Sequence, residues 1–400
     1  MKQTYTLTDL ELKSSSELVQ AFAVLPSRVN SLDLGFNSLG NKSGAELAQA
    51  FADLPVRINS LDLRGNSLYE KSGAELAQAL TALPASVNSL NLSENFLGYM
   101  SGAELAQAFA SLSPSINCLD LSFNYFCKKN GVELAQAFAT LPAKVKTVAL
   151  KCNSLYEKSG AELAYAFSAL PDSVNSLDLS FNCLGDKRGV ELAQAFAALP
   201  DSMNSLNLSR NALHKKSGTE LVQAFAVLPA SLNSLNLSRN SLYEKSGTEL
   251  AQAFAAVPAS VRSLDLSDNI LDQLPLEELN KLRNSLPNIE TITLSESEIA
   301  QMEPMSRAAL KAIFPNIKTI ILLDNYGAIR GGNDLEARHY FASRLGLTKT
   351  PPSLKSNVAA FFASHTELQE QNKNLPLELQ EFTQHFVYWN RVYFHYVSFE

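Results

Sequence analysis

One asparagine recurs at a fixed step. Asn37, Asn66, Asn95, Asn124, Asn153, Asn182, Asn211, Asn240 and Asn269 follow one another every 29 residues without a gap. A strict period of that length marks a chain built from stacked copies of one supersecondary unit. The copy from Val174 to Ser202 reads VNSLDLSFNCLGDKRGVELAQAFAALPDS. Its first half sets Val174, Leu177, Leu179, Asn182 and Leu184 in the order LxxLxLxxNxL, whose alternation suits a short parallel strand. Its second half opens at Gly189 and carries Leu192, Ala195, Phe196 and Leu199 at helical spacing, with Glu191 and Gln194 outside that stripe and Pro200 closing the helix.

No single copy can bury both its strand leucines and its helix stripe, so neighbours must stack and share a continuous core. Strands sit about 4.8 Å apart, whereas helices with side chains need about 10 Å. The stack is therefore expected to curve, with strands inside and helices outside. The recurring asparagine, placed where the strand ends, is expected to hydrogen-bond turn backbone in its own and the adjacent copy, forming a ladder. Losing one amide would leave buried groups unpaired, at about 1 to 3 kcal/mol.

These residues resemble the leucine-rich repeats, and among them the ribonuclease-inhibitor-like class with its long repeats and true helices. The resemblance implies an α/β solenoid, a right-handed horseshoe with a concave parallel sheet and convex helices, and a structural role for the asparagines. Two features depart from the family: one repeat length is kept throughout, and the copies are unusually alike, as recent duplication would leave them. Tyr69, Tyr156 and Tyr243 recur three repeats apart and fit duplication of blocks better than a functional column.

Residues 1–28 read as a capping half-repeat, because Glu17, Leu18, Phe22 and Leu25 copy a repeat helix. Residues 29–325 form the solenoid, nine regular repeats and then two degenerate ones, giving eleven strands. In the degenerate part, strands are expected over 289–294 and 317–322 and a helix over 305–314, with Ser297 at the asparagine position and Asn325 restoring it. Residues 326–400 form a C-terminal helical cap or extension. A helix over 334–345 is opened by Asn333 and closed by Gly346. Beyond a break at 349–353, helices are expected over about 356–371 and 377–397. The last carries Leu379, Phe382, Phe386, Trp389, Tyr393 and Tyr396 as one apolar stripe, either packed on the solenoid or offered to a partner.

A formal net charge of −7 argues against nucleic acid, which needs a concentrated basic surface. Cys118, Cys127, Cys152 and Cys183 occupy four different repeat positions and read as reduced thiols. Neither a secretory signal nor a membrane-spanning stretch is evident. The expected location is the cytoplasm, or a host cytosol reached without a cleaved signal. The KSG preceding several helices recurs with the repeat and lacks the GxxxxGK[ST] frame, so it is a turn. No GxSxG or HExxH occurs, and the five histidines lie mostly outside the repeats. Catalysis, metal and cofactor are not expected.

Function is then sought in strand residues that face away from the leucines. A serine-rich column and an Asp/Asn column are monotonous. A third, beside the asparagines, varies: Phe36, Gly65, Glu94, Phe123, Cys152, Phe181, Arg210, Arg239, Asp268. Repeat five reads KVKTVALKCNSL and sets Lys144, Lys146 and Lys151 in an otherwise acidic groove. Aromatic and arginine anchors dominate binding energy at interfaces, so the partner-binding residues are expected to be Asp120, Phe123, Tyr125, Lys151, Asp178, Phe181, Arg210 and Arg239. The chain is read as a monomeric, non-enzymatic scaffold for a protein partner, and its repeats look like those of effectors secreted by intracellular bacterial pathogens, which implies a eukaryotic host protein as that partner. The alternative makes the repeats a targeting module for an adaptor activity in the C-terminal segment, for which LPLEL offers a weak hint of ubiquitin machinery.

Overall fold

The computed structural model describes residues 4–348, 351–353 and 356–359. The chain divides into two compact units, Met1–Asn240 with Ala256–Val261, and Ser241–Ala255 with Arg262–Glu400.

In the first unit nine strands run parallel in chain order: β1 (Thr4–Thr6), β2 (Ser31–Asp33), β3 (Ser60–Asp62), β4 (Ser89–Asn91), β5 (Cys118–Asp120), β6 (Thr147–Ala149), β7 (Ser176–Asp178), β8 (Ser205–Asn207) and β9 (Ser234–Asn236). Helices alternate with them: α1 (Ser15–Ala23), α2 (Gly44–Ala52), α3 (Gly73–Thr81), α4 (Gly102–Ala110), α5 (Gly131–Phe138), α6 (Gly160–Ser168), α7 (Gly189–Ala197) and α8 (Gly218–Phe225). Register is fixed by the period, so that Ser176 faces Ser205 and Leu177 faces Leu206. Leu177, Leu179, Leu184, Leu192 and Phe196 are buried together. Between strand and helix each repeat makes a single 3-10 turn, as at Leu184–Asp186, which sequence periodicity did not reveal.

The helices begin as they do because the sequence offers a capping box, S-x-x-E. Ser159 N–H donates to the Glu162 carboxylate at 2.9 Å, and Glu162 N–H donates to Ser159 Oγ at 3.2 Å. Successive helices then approach closely at the first helical residue. A Cβ added to Gly160 would stand 2.5 Å from Glu191 Cα, so only glycine fits.

Two ladders tie the repeats. In the first, Asn153 N–H donates to Asn182 Oδ1 at 2.9 Å and Asn182 N–H to Asn211 Oδ1 at 3.0 Å. The Asn182 amide also donates to Leu150 O and Leu179 O, both at 3.0 Å. The second was missed in the sequence because its lysines lie in the KSG or KRG segment before each helix, which was read only as a turn. Lys42, Lys187 and Lys216 are buried and Lys158 is half-buried, and the four ammonium groups donate to backbone carbonyls one repeat earlier: Lys42 to Lys13 O at 2.6 Å, Lys158 to Lys129 O at 2.7 Å, Lys187 to Lys158 O and Lys216 to Lys187 O. A buried ammonium is tolerated only with such partners.

The second unit holds α9 (Gly247–Ala255), β10 (Ser263–Asp265), α10 (Leu276–Lys281), β11 (Thr291–Ser295), α11 (Glu296–Gln301), α12 (Pro304–Ile313), β12 (Thr319–Leu323) and α13 (Leu335–Arg344). β10, β11 and β12 are parallel neighbours. After β12 the chain turns back, Leu323 bridging Ile329 and Arg330 N–H donating to Leu322 O at 2.8 Å, which covers the sheet edge.

Several expectations are corrected here. Twelve strands, not eleven, occur among the described residues, because the amino-terminal segment contributes β1. Thr4 faces Ser31, while Leu10 N–H still reaches Asn37 Oδ1 at 3.0 Å. The cap therefore has its own strand and a turn two residues shorter than the repeat. Ser297 is not the asparagine's replacement. Glu298, in α11, accepts from Ile270 N–H at 2.7 Å, so a carboxylate takes over the amide's role. Asn325 does not restore the ladder. It is exposed, and Asp324 instead accepts the Tyr326 and Ala328 N–H groups. Asp334, not Asn333, caps α13, and Gly346 closes it with φ +72°. Of the helix expected over 356–371 only 356–359 is described, and the helix over 377–397, with its apolar stripe, lies outside the described residues.

Candidate functional site

The variable column does not lie in the strands. Each strand of the regular repeats ends after three residues, and Phe36, Glu94, Phe123, Cys152, Phe181, Arg210, Arg239 and Asp268 all adopt left-handed backbone, with φ between 53° and 58°. A second left-handed residue follows the asparagine in each copy, such as Tyr125 (φ 58°) and Cys183 (φ 52°). Left-handed backbone costs a non-glycine residue about 1 to 2 kcal/mol, and the flanking buried asparagine holds it there. The side chains on both sides of the ladder therefore leave a turn whose asparagine is buried and hydrogen-bonded.

This geometry joins four of the predicted residues. Lys151 Nζ lies 5.4 Å from the Phe123 ring centroid and 4.7 Å from that of Phe181. The Arg210 guanidinium lies 4.4 Å from the same Phe181 ring centroid. Phe123, Lys151, Phe181 and Arg210 thus form an alternating aromatic and cationic stack spanning four successive repeats. Lys151 reaches it because repeat five has lysine at a position that is a buried serine in its neighbours, Ser122 and Ser180.

Asp120 and Asp178 are placed differently. Each spends Oδ1 on the turn, accepting from Ser122 N–H at 2.9 Å and Ser180 N–H at 2.8 Å. This is an Asx turn, repeated along the Asp/Asn column, so one oxygen of each of those two carboxylates builds the turn. Arg239 occupies the equivalent turn position one repeat beyond Arg210 and is exposed.

Tyr125 belongs to a second group. It stacks on Phe96 at 5.7 Å and lies 6.0 Å from Tyr99, and Tyr69 sits 5.6 Å from Phe96 and 6.0 Å from Tyr99. All four rings are exposed. Sequence reading assigned Tyr69 to block duplication and passed over Phe96 and Tyr99. The available signal was an aromatic residue recurring two positions after the strand turn or in the 3-10 turn. Arg64 over Phe36 at 5.5 Å repeats the cation–ring motif near the amino-terminal end and was also missed.

Burial pushes the Cys152 and Cys127 thiols up, away from nucleophilic character. Among the described residues no cluster of three or more His, Cys, Asp or Glu side chains could hold a metal ion, and no helix is long and apolar enough to cross a membrane.

Parallel strands alternating with helices at a fixed period, tied by a buried asparagine ladder, define a leucine-rich-repeat solenoid. Among solved structures the chain is similar to the leucine-rich repeat-containing protein LegL7 from Legionella pneumophila, with 39% identity, 88% of this chain and 100% of that chain covered, and a TM-score of 0.69. The chain belongs to the leucine-rich-repeat family. Two further structures align more remotely. One is the Rad7 and Elc1 complex in yeast, at 14% identity over 83% of this chain and 84% of that one, with a TM-score of 0.43. The other is the mouse RP105/MD-1 complex, at 18% identity over 80% and 45%, with a TM-score of 0.40. No protein-family model and no curated protein matches.

Proposed function

We propose that the chain is a non-enzymatic scaffold that captures a partner protein on the strand side of its first unit. The observation that carries this reading is the stack of Phe123, Lys151, Phe181 and Arg210. It presents the residue types that dominate interface energetics, on turns held by buried hydrogen bonds, so little ordering entropy is lost on binding. The aromatic group around Tyr125 extends the same side toward the amino terminus. The scaffold acts as a monomer, without nucleic acid.

The finer reading is that of a bacterial effector reaching a host protein in the host cytosol. Its support is the identity to a Legionella pneumophila repeat protein. The alternative, an adaptor activity carried by residues 326–400, has no observation favouring it among the described residues of that segment. The test is capture from a eukaryotic lysate by immobilised full-length protein, comparing wild type with a Phe181→Ala/Arg210→Ala variant and with the helix-face variant Gln107→Ala/Gln194→Ala. Loss only in the first variant supports the strand side. Loss only in the second moves the site to the helices and overturns the assignment.

A further inference from the structure

The second unit contains a cavity of about 710 Å³ bounded by α12, β12, α13 and the loop after α10. Its volume falls within the range of small-molecule sites, roughly 300 to 1,000 Å³. The lining has two chemistries. Phe314, Ile317, Ile320 and Leu347 supply an apolar floor, of which Ile317 and Ile320 remain half-exposed. The lining also carries Arg283, Lys311, Lys318 and Arg338, and among the described residues no carboxylate lines the cavity. In a chain of net charge −7, four cations around one hollow are out of keeping with the whole.

Their pairing sharpens the point. Lys318 has an acidic partner, Glu290 at 2.9 Å. Lys311 Nζ donates only to a carbonyl, Thr348 O at 2.9 Å, and Arg338 Nε donates to Gly332 O at 2.6 Å. Among the described residues Arg283, Lys311 and Arg338 have no carboxylate partner. Like charges gathered at a partly desolvated wall disfavour one another, and a bound anion relieves that cost. The Arg338 fork and the Lys311 point charge suit an oxyanion.

We propose that this cavity binds an anionic amphiphile, a small molecule whose apolar body lies on the Phe314, Ile317 and Ile320 floor and whose phosphate or carboxylate head meets Arg283, Lys311 and Arg338. The site is independent of the strand-side surface of the first unit. A free metabolite and a membrane lipid share this chemistry.

Calorimetric titration of the full-length protein with octyl phosphate tests it. One saturable site is expected, weakened by salt, with octanol and inorganic phosphate each binding at least about tenfold more weakly. Arg283→Glu and Lys311→Glu should each weaken octyl phosphate by about tenfold or more, and Ala312→Trp should block the cavity. Arg283 is exposed, so its reversal is the variant least able to disturb folding, and unchanged thermal melting confirms that. Phosphatidylcholine vesicles with and without phosphatidylserine separate the sources. Charge-dependent vesicle binding lost in Arg283→Glu indicates a lipid headgroup, and octyl phosphate binding without vesicle binding indicates a free ligand. Absence of octyl phosphate binding, or equal binding by the Arg283→Glu and Ala312→Trp variants, overturns the proposal.

Discussion

Asn153 N–H donates to the side-chain oxygen of Asn182 at 2.9 Å, across one whole repeat. The same oxygen accepts from Leu155 N–H at 3.2 Å, while the amide nitrogen serves Leu150 O and Leu179 O at 3.0 Å. Asn182 is fully buried at 0% exposure, so water cannot replace these bonds. Asn182→Ala should therefore destabilise by at least about 3 kcal/mol, since each unpaired buried group costs about 1 to 3 kcal/mol. Denaturant unfolding measures it, and a midpoint equal to wild type contradicts the ladder.

The capping-box glutamates should make the first unit acid-labile. Burial pushes the Glu220 carboxyl up, but the N–H groups of Ser217 and Gly189, the Ser217 hydroxyl and Lys216 prevail and bring it from 4.5 down to about 2. A carboxylate whose folded value is depressed contributes stability above its unfolded value, and that contribution is lost as pH falls, here between 4.5 and about 2. Glu220→Gln should cost about 1 kcal/mol at pH 7, with the difference from wild type shrinking toward pH 2. A pH series of melting temperatures checks this.

Glu298 should act in the opposite sense. Burial pushes it from 4.5 up to about 7, with Asp268 and Asp272 adding to the rise and the Ile270 and Leu271 N–H groups opposing it. Its Oε2 is buried without a hydrogen-bond partner, which favours the neutral acid. A raised folded value gives stability that is present below 4.5 and lost as pH rises through about 7. Glu298→Gln, which mimics the neutral form and keeps an acceptor for Ile270, should match wild type at pH 5 and exceed it at pH 8 by up to about 3 kcal/mol. Equal melting temperatures at pH 8 would refute the assignment.

For the strand-side surface, Phe123→Ala, Phe181→Ala and Arg210→Ala should each weaken partner binding by about 2 kcal/mol, roughly thirtyfold in Kd. Lys151→Ala should weaken it too, because the lysine holds both rings in register. Melting temperatures should move little, since all four side chains project away from the leucine core. Titration of the captured partner against each variant, with salt varied for Arg210→Ala, is the measurement.

Excision of residues 175–203 should leave a folded, shorter solenoid, because each repeat touches only its neighbours. Circular dichroism reads this directly, and loss of helical signal would contradict the repeat boundaries.

The period, the strand and helix halves and the asparagine ladder were legible in the sequence because their determinants repeat at one spacing. A leucine such as Leu177 meets Leu206 in the next copy, so the strand pairings between regular repeats all have the same sequence separation. Phe123, Phe181 and Arg210 could be picked out as variation on a constant background. The Asx turns of Asp120 and Asp178 were local chemistry that the monotony of their column hid. What only the tertiary structure decided depends on distances that no spacing encodes. The left-handed turns, not strand alternation, aim Phe123 and Phe181 outward and let Lys151 lie between their rings. Glu298 took over the ladder because a helix replaced the turn after β11. The buried lysines needed carbonyls from a preceding copy, and the cationic cavity gathers residues from 283 to 348 that share no repeat position, so only packing could bring their charges together.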